Sequence, residues 1–183
     1  NPINSSTNGV RKRTRKTEDN SDLQALVNGI HPSNPNRMQY VYDNIDIAAT
    51  INYLAATAIV HDNDHVHKNY HLYRDTEGSG QWRFIPWDKD LTFGLNNGIG
   101  GVVGDMDPFS HPFFGDSDHQ KIDNKWNRLI DAVFEIPEVQ EMYLRRLRTL
   151  MDQFLLPPGT EEISWIENRV NELTAALQPH VGS

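Results

Sequence analysis

The sequence predicts an α+β domain, mostly helical, with one small β-hairpin that carries the polar chemistry. Three observations lead there. Apolar residues recur at helical spacing in five stretches of the chain. Between the second and third of these, Tyr70 to Ile85 switches to alternation about a turn-rich centre. Carboxylates and amides cluster at both ends of that alternating segment, Asp64 and Asn69 before it, Asp88 and Asp90 after it.

Residues 1–20 read as a flexible polar segment with almost no large apolar side chains, so they cannot bury enough surface to order themselves. The run Arg11-Lys12-Arg13-Thr14-Arg15-Lys16 fits an anion patch or nuclear signal. A solvated loop is the better reading, because the rest of the chain is acidic. Residues 21–178 form the predicted domain and 179–183 a tail. Leu23, Leu26, Val27 and Ile30 define a first helix, with Ser21 as its expected N-cap and Pro32 and Pro35 ending it. Met38 to Tyr42 reads as a helical turn. Asp46 is the expected cap of a central helix whose broad face is Ile47, Ile51, Leu54, Ala55, Ala58 and Ile59, ending near Val60.

Tyr70–Arg74 and Trp82–Ile85 then flank the turn residues Asp75-Thr76-Glu77-Gly78-Ser79-Gly80. Pro86 is expected to stop the second strand's ladder. Gly94 to Asp118, with six glycines and two prolines, is too long for a bare connector and reads as a loop covering a site or as an inserted segment. Three helices close the chain. Trp126, Leu129, Ile130 and Val133 mark the first, from Asp123 to Phe134. Val139, Met142, Tyr143, Leu147, Leu150 and Phe154 form the stripe of the second, which starts at Pro137. The third is expected to be capped by Thr160, with Glu161 or Glu162 in its first turn, and to bury Ile163, Ile166, Val170, Leu173 and Leu177.

The chain has 183 residues, 17 basic and 25 acidic, for a formal charge of −8. That balance argues against a nucleic-acid footprint and predicts repulsion from anionic membranes. No apolar run approaches the roughly 20 residues of a membrane span. Cysteine is absent, which excludes disulfides and thiolate metal sites. The chain begins at Asn1 in a polar stretch and reads as part of a longer protein.

The loops around the hairpin suit a hard divalent cation, which takes one or two carboxylates together with phosphate oxygens. Asp62, Asp64 and Asp75 also fit backbone capping, the commoner use of Asp near a turn. His65 and His67 could chelate zinc, but no third ligand has clear spacing. Lys68 and Arg74 are placed to neutralise phosphate, although each alone reads equally as a solvated side chain. Asp64 precedes Asn69 by five residues, the offset at which a kinase catalytic loop sets its proton-accepting Asp and its metal-binding Asn.

The stretch Asp64-His-Val-His-Lys-Asn69-Tyr-His-Leu-Tyr-Arg-Asp, followed by Trp82-Arg-Phe-Ile-Pro-Trp87-Asp88-Lys-Asp90-Leu-Thr-Phe-Gly94, resembles the CotH family of atypical protein kinases. The resemblance is strong over Asp46–Gly94 and weaker over the flanking helices. It implies a protein-kinase-like C-lobe whose β-hairpin carries the metal site, with ATP and Mg²⁺ (or Mn²⁺) as cofactors and a protein Ser or Thr as substrate. Carried over, Asp64 is the catalytic-loop Asp, and Asn69 and Asp88 hold metal. Asp90 is the motif's second carboxylate, assigned to the metal or to bracing the loop. Lys68 and Trp87 fall to cofactor binding.

Lys89 departs from the apolar residue usual between the two Asp; by alternation it points away from them. The N-lobe that completes such a cleft has no counterpart in this chain, so the chain by itself is expected to be inactive and to need the missing lobe of the same parent. The family association implies an extracellular, cell-surface or spore-coat location. Two rival readings keep the fold: nucleotide transfer or ligation driven by ATP, and a surface adhesion module that does no chemistry.

Overall fold

A computed structural model describes residues 11–62, 69–93, 96–98, 101–103, 127–157 and 159–181. Among them the chain is helical with two small antiparallel ribbons. The α-rich, α+β class expected from the periodicities is what the structure has. The helices are α1 (Ser21–Gly29), α2 (Arg37–Asn44), α3 (Ile47–Ile59), α4 (Arg128–Phe134), α5 (Pro137–Phe154) and α6 (Trp165–Leu177). Strands β1 (Tyr70–Arg74) and β2 (Trp82–Pro86) form the expected hairpin. A second ribbon, β3 (Asn96–Gly98) with β4 (Gly101–Val103), lies within the stretch that reads as a loop in sequence. The remainder of that stretch, and Trp126, lie outside the described residues.

Helix α3 is the centre. Asp46 caps it, accepting from the Ala49 N–H at 2.9 Å. Ile51, Leu54 and Ala55 are buried as the spacing requires, and so are Thr50, Tyr53 and Thr57. The extra burial arises because α3 is covered on two sides, by α5 and by β2. Thr57 satisfies its hydroxyl by donating to the Leu54 carbonyl at 2.9 Å. Leu26, Val41, Ile45, Ile130, Val133, Ile136 and Val139 complete one core around it. Arg37, at the start of α2, is buried and pairs with Glu135 just beyond α4.

The hairpin is fastened to this core in three ways. The Asp46 N–H donates to the Trp82 carbonyl at 2.9 Å, so the cap of α3 is also the edge partner of β2. Trp82 and Phe84 are buried, and Phe84 stacks on Tyr53 with ring centres 4.8 Å apart and planes 3° from parallel. Asn127 donates to the Tyr70 hydroxyl at 2.9 Å while its own oxygen caps α4. Pro86 does not break the pairing as expected. Tyr70 and Pro86 face each other, yet the next residue, Trp87, still donates to the Asn69 carbonyl at 3.2 Å. In an antiparallel ladder bonded pairs alternate with unbonded ones, and Pro86 sits at an unbonded position where a missing N–H removes nothing.

Four further expectations are corrected. Asn20, not Ser21, precedes α1, and it makes no side-chain cap. Ser164, not Thr160, caps α6, in a reciprocal capping box with Glu167. The face of α6 expected to be buried is not: Ile163, Val170, Leu173 and Leu177 are exposed, and α6 buries none of its residues. In its first turn Trp165 packs edge-on against Phe154. An apolar cavity of about 330 Å³ opens there, lined by Ile59, Val60, Phe93, Phe154, Trp165 and Val170 among others. Met142, expected in the α5 stripe, is exposed as well.

Burial shifts the phenol pKa of Tyr53, Tyr70 and Tyr143 upward. A raised folded-state pKa means that these groups favour the fold fully below the ordinary tyrosine pKa, and that this contribution is lost as pH rises through the folded value. In an alkaline absorbance titration their tyrosinate signal should therefore appear together with loss of helical circular dichroism, not before it. Replacing the α3 cap, Asp46→Ala, is expected to cost about 1 kcal/mol in urea denaturation.

Candidate functional site

The hairpin brings Asn69 beside the segment that follows β2. Asn69 and Trp87 are joined across the mouth by the backbone bond described above, which sets Asp88 one residue beyond Asn69's partner. The Phe93 N–H donates to the Val60 carbonyl at 2.9 Å, so the second loop ends against the last turn of α3. Between those two ties the chain alternates. Asp88 and Asp90 are exposed, Leu91 is buried, and Lys89 is turned inward. Trp87 lies on the outer surface with its ring 5.1 Å from that of His71.

The backbone here is unusual. His61, Asn69, Asp88 and Phe93 all have positive φ, at 48°, 60°, 55° and 53°. Left-handed backbone costs a non-glycine residue about 1–2 kcal/mol, and such residues persist only where the surroundings dictate them. All four lie at the ends of the two loops around the hairpin. Asn tolerates the region better than most residues because its short polar side chain can bond locally; Phe93 has no such excuse and is held by its tie to Val60.

Beneath the exposed carboxylates lies a buried ion pair. Lys89 Nζ is 2.8 Å from Asp62 Oδ2, with Asp62 1% exposed. The ammonium also stands 5.7 Å from the centre of the Tyr53 ring. The Asp62 N–H donates to the Thr57 carbonyl at 2.9 Å, which fixes this carboxylate to the end of α3.

The sequence-predicted residues therefore divide. Asn69, Trp87, Asp88 and Asp90 come to one end of the hairpin, while Asp64, Lys68, His65 and His67 lie outside the described residues. Among the described residues no three His, Asp or Glu side chains converge as a metal cage would require. An amide oxygen and two carboxylates are nonetheless the hard donors that Mg²⁺ takes when phosphate supplies the rest, so the residues present fit such an ion. Arg74 turns away from this end: its Nε donates to the Gly80 carbonyl at 3.0 Å, at the hairpin's far turn. Asp75 does act as a turn cap, accepting from the Ser79 N–H at 3.3 Å. Val60 and Phe93, which tie the second loop to α3, also line the apolar cavity.

Against known families, the model described as CotH kinase protein matches residues 1–183. The chain belongs to the CotH kinase family. No curated protein and no solved structure matched it. Membership in the CotH family suggests kinase-like function. Among the described residues no helix is long and apolar enough to cross a membrane.

Sequence reasoning missed the partnership of Asp62 and Lys89 within this CotH domain. It treats Asp62 as a capping residue and Lys89 as a harmless departure. A signal was present: a lysine whose neighbours alternate outward must face inward, and an inward ammonium needs a counter-charge. Removing Lys89 takes a counter-charge from a buried carboxylate. Lys89→Ala should therefore destabilise the domain by about 3 kcal/mol, and Asp62→Asn with Lys89→Met together by clearly less. Chemical denaturation of the three proteins checks this.

Proposed function

We propose that this end of the hairpin is the catalytic and metal-binding edge of a kinase-like C-lobe, which moves the γ-phosphoryl group of ATP to a protein Ser or Thr. The observation that carries the reading is the left-handed backbone at both Asn69 and Asp88, on facing arms of one hairpin. The left-handed backbone recurs at the two residues that should hold metal, and neither side chain is buried.

In this reading Asp64 accepts the proton of the substrate hydroxyl as its oxygen bonds to the γ-phosphorus. The bond from that phosphorus to the bridging oxygen of ADP breaks. Asn69 and Asp88 hold Mg²⁺ or Mn²⁺, with Asp90 as a further carboxylate for the ion or for the loop. A bound divalent ion supplies charge neutralisation to the phosphate oxygens. Lys68 adds a positive charge for the phosphates, and Trp87 offers an exposed ring face at the cofactor edge. Positioning and charge are most of what phosphoryl transfer asks of a protein. The family association supports a cell-surface, extracellular or spore-coat setting.

The test is a transfer assay with labelled ATP and Mg²⁺ or Mn²⁺ on the full-length parent, its Asp88→Ala variant and its Asp64→Asn variant. Loss of incorporation by at least a hundredfold in both is expected. Equal incorporation in parent and Asp88→Ala would sink the metal assignment, and a nucleotide-sized adduct in the product's mass spectrum would replace kinase by nucleotidyl transfer. A second expectation separates strain from function. Asn69→Gly removes the left-handed penalty, so stability should hold or rise by about 1 kcal/mol, while transfer falls as in the Asp88 variant.

A further inference from the structure

We infer that Lys89 and Asp62 form a positioning pair that keeps an internal ammonium away from the carboxylates on either side of it in sequence. The inference deepens the metal-site reading above and rests on it. Lys89 stands between Asp88 and Asp90. In an unrestrained loop its flexible side chain is the nearest cation available to both, and pairing there would cancel the charge that a divalent ion needs. The fold prevents this. Asp62 lies 2.8 Å from the ammonium and is itself nearly inaccessible to water. Its N–H is bound to Thr57 in the last turn of α3, so the counter-charge belongs to the core and not to the loop. The Tyr53 ring gives the ammonium a second favourable neighbour on the same inner side.

The pair also sets the direction of the loop. Between the bonds at Trp87 and Phe93, the inward side chains are Lys89 and Leu91. With Lys89 drawn inward, Asp88 and Asp90 are left facing outward, and both are exposed. One buried carboxylate thus acts on two exposed ones: it takes up the competing cation, and it orients the segment that carries them.

The test uses the 183-residue chain as wild type, Asp62→Asn, Asp62→Asn with Lys89→Met, Lys89→Arg, and Asp88→Asn. Mn²⁺ affinity is read by electron paramagnetic resonance, and backbone order in residues 87–93 by hydrogen exchange, with the amides of α5 as the internal reference for global stability. Asp62→Asn should weaken Mn²⁺ binding about tenfold or more, because it releases the ammonium toward Asp88 and Asp90. The double variant should recover part of that loss, since no ammonium remains to compete, while exchange over 87–93 stays faster than wild type relative to α5. Lys89→Arg should stay close to wild type in both. A merely structural pair would leave the double variant no better than Asp62→Asn in Mn²⁺ affinity, and that result overturns the inference. So does unchanged exchange over 87–93 in Asp62→Asn. If Asp88→Asn binds Mn²⁺ as wild type does, the metal reading fails. The orienting role is then decided by the exchange data alone.

Discussion

The arrangement depends on the burial of β2 against α3. A two-stranded hairpin is at best marginally stable by itself in water. This one is held because Trp82 and Phe84 enter the core, with Phe84 stacked face to face on Tyr53. The same helix supplies the other fixtures. Its N-terminal cap residue bonds the β2 backbone, and its last turn receives both Asp62 and Phe93. Asn69, Asp88 and Asp90, the described polar residues at the open end of the hairpin, are therefore placed relative to α3.

That end concentrates several costs in a small space. Four non-glycine residues occupy left-handed backbone within two short loops, and an ion pair is buried beneath exposed carboxylates. A buried pair is poor evidence for stability, because desolvating the two charges offsets most of their attraction. Retaining it here makes better sense as specification: an apolar residue at position 89 would pack as well, but would leave Asp62 without its cation. The lysine and the buried aspartate are therefore best understood as one feature of this CotH domain.

The aromatic contacts and the capping residues show how the helices share the task. Asn127 closes the N-terminus of α4 and reaches the Tyr70 hydroxyl, so the helical body grips β1 as well as β2. Helix α6 stands apart from this economy. Its apolar face is exposed beyond the first turn, although its periodicity is as regular as that of the buried helices. Periodicity reports that a helix has an apolar side; it does not report that a partner element lies within reach of that side.

The sequence by itself determined the order of the helices, the Asp46 cap, the first hairpin and the nearness of Asn69 to Asp88 and Asp90. These rest on local rules: spacing of apolar residues, a cap before a periodic run, and a turn that returns one strand onto the other. The motif residues around the hairpin also carried the family, which the match over the whole chain bears out. Tertiary structure alone decided three things. It put Pro86 at an unbonded position of the ladder, which depends on register and not on composition. It left α6 uncovered beyond its first turn, because whether a neighbouring element reaches an apolar face is not a local property, whereas the Ser164 cap is a local capping box that the sequence already carried. And it turned Lys89 onto Asp62, a pairing between loops on opposite sides of a hairpin, visible only once α3 and β2 have been packed together.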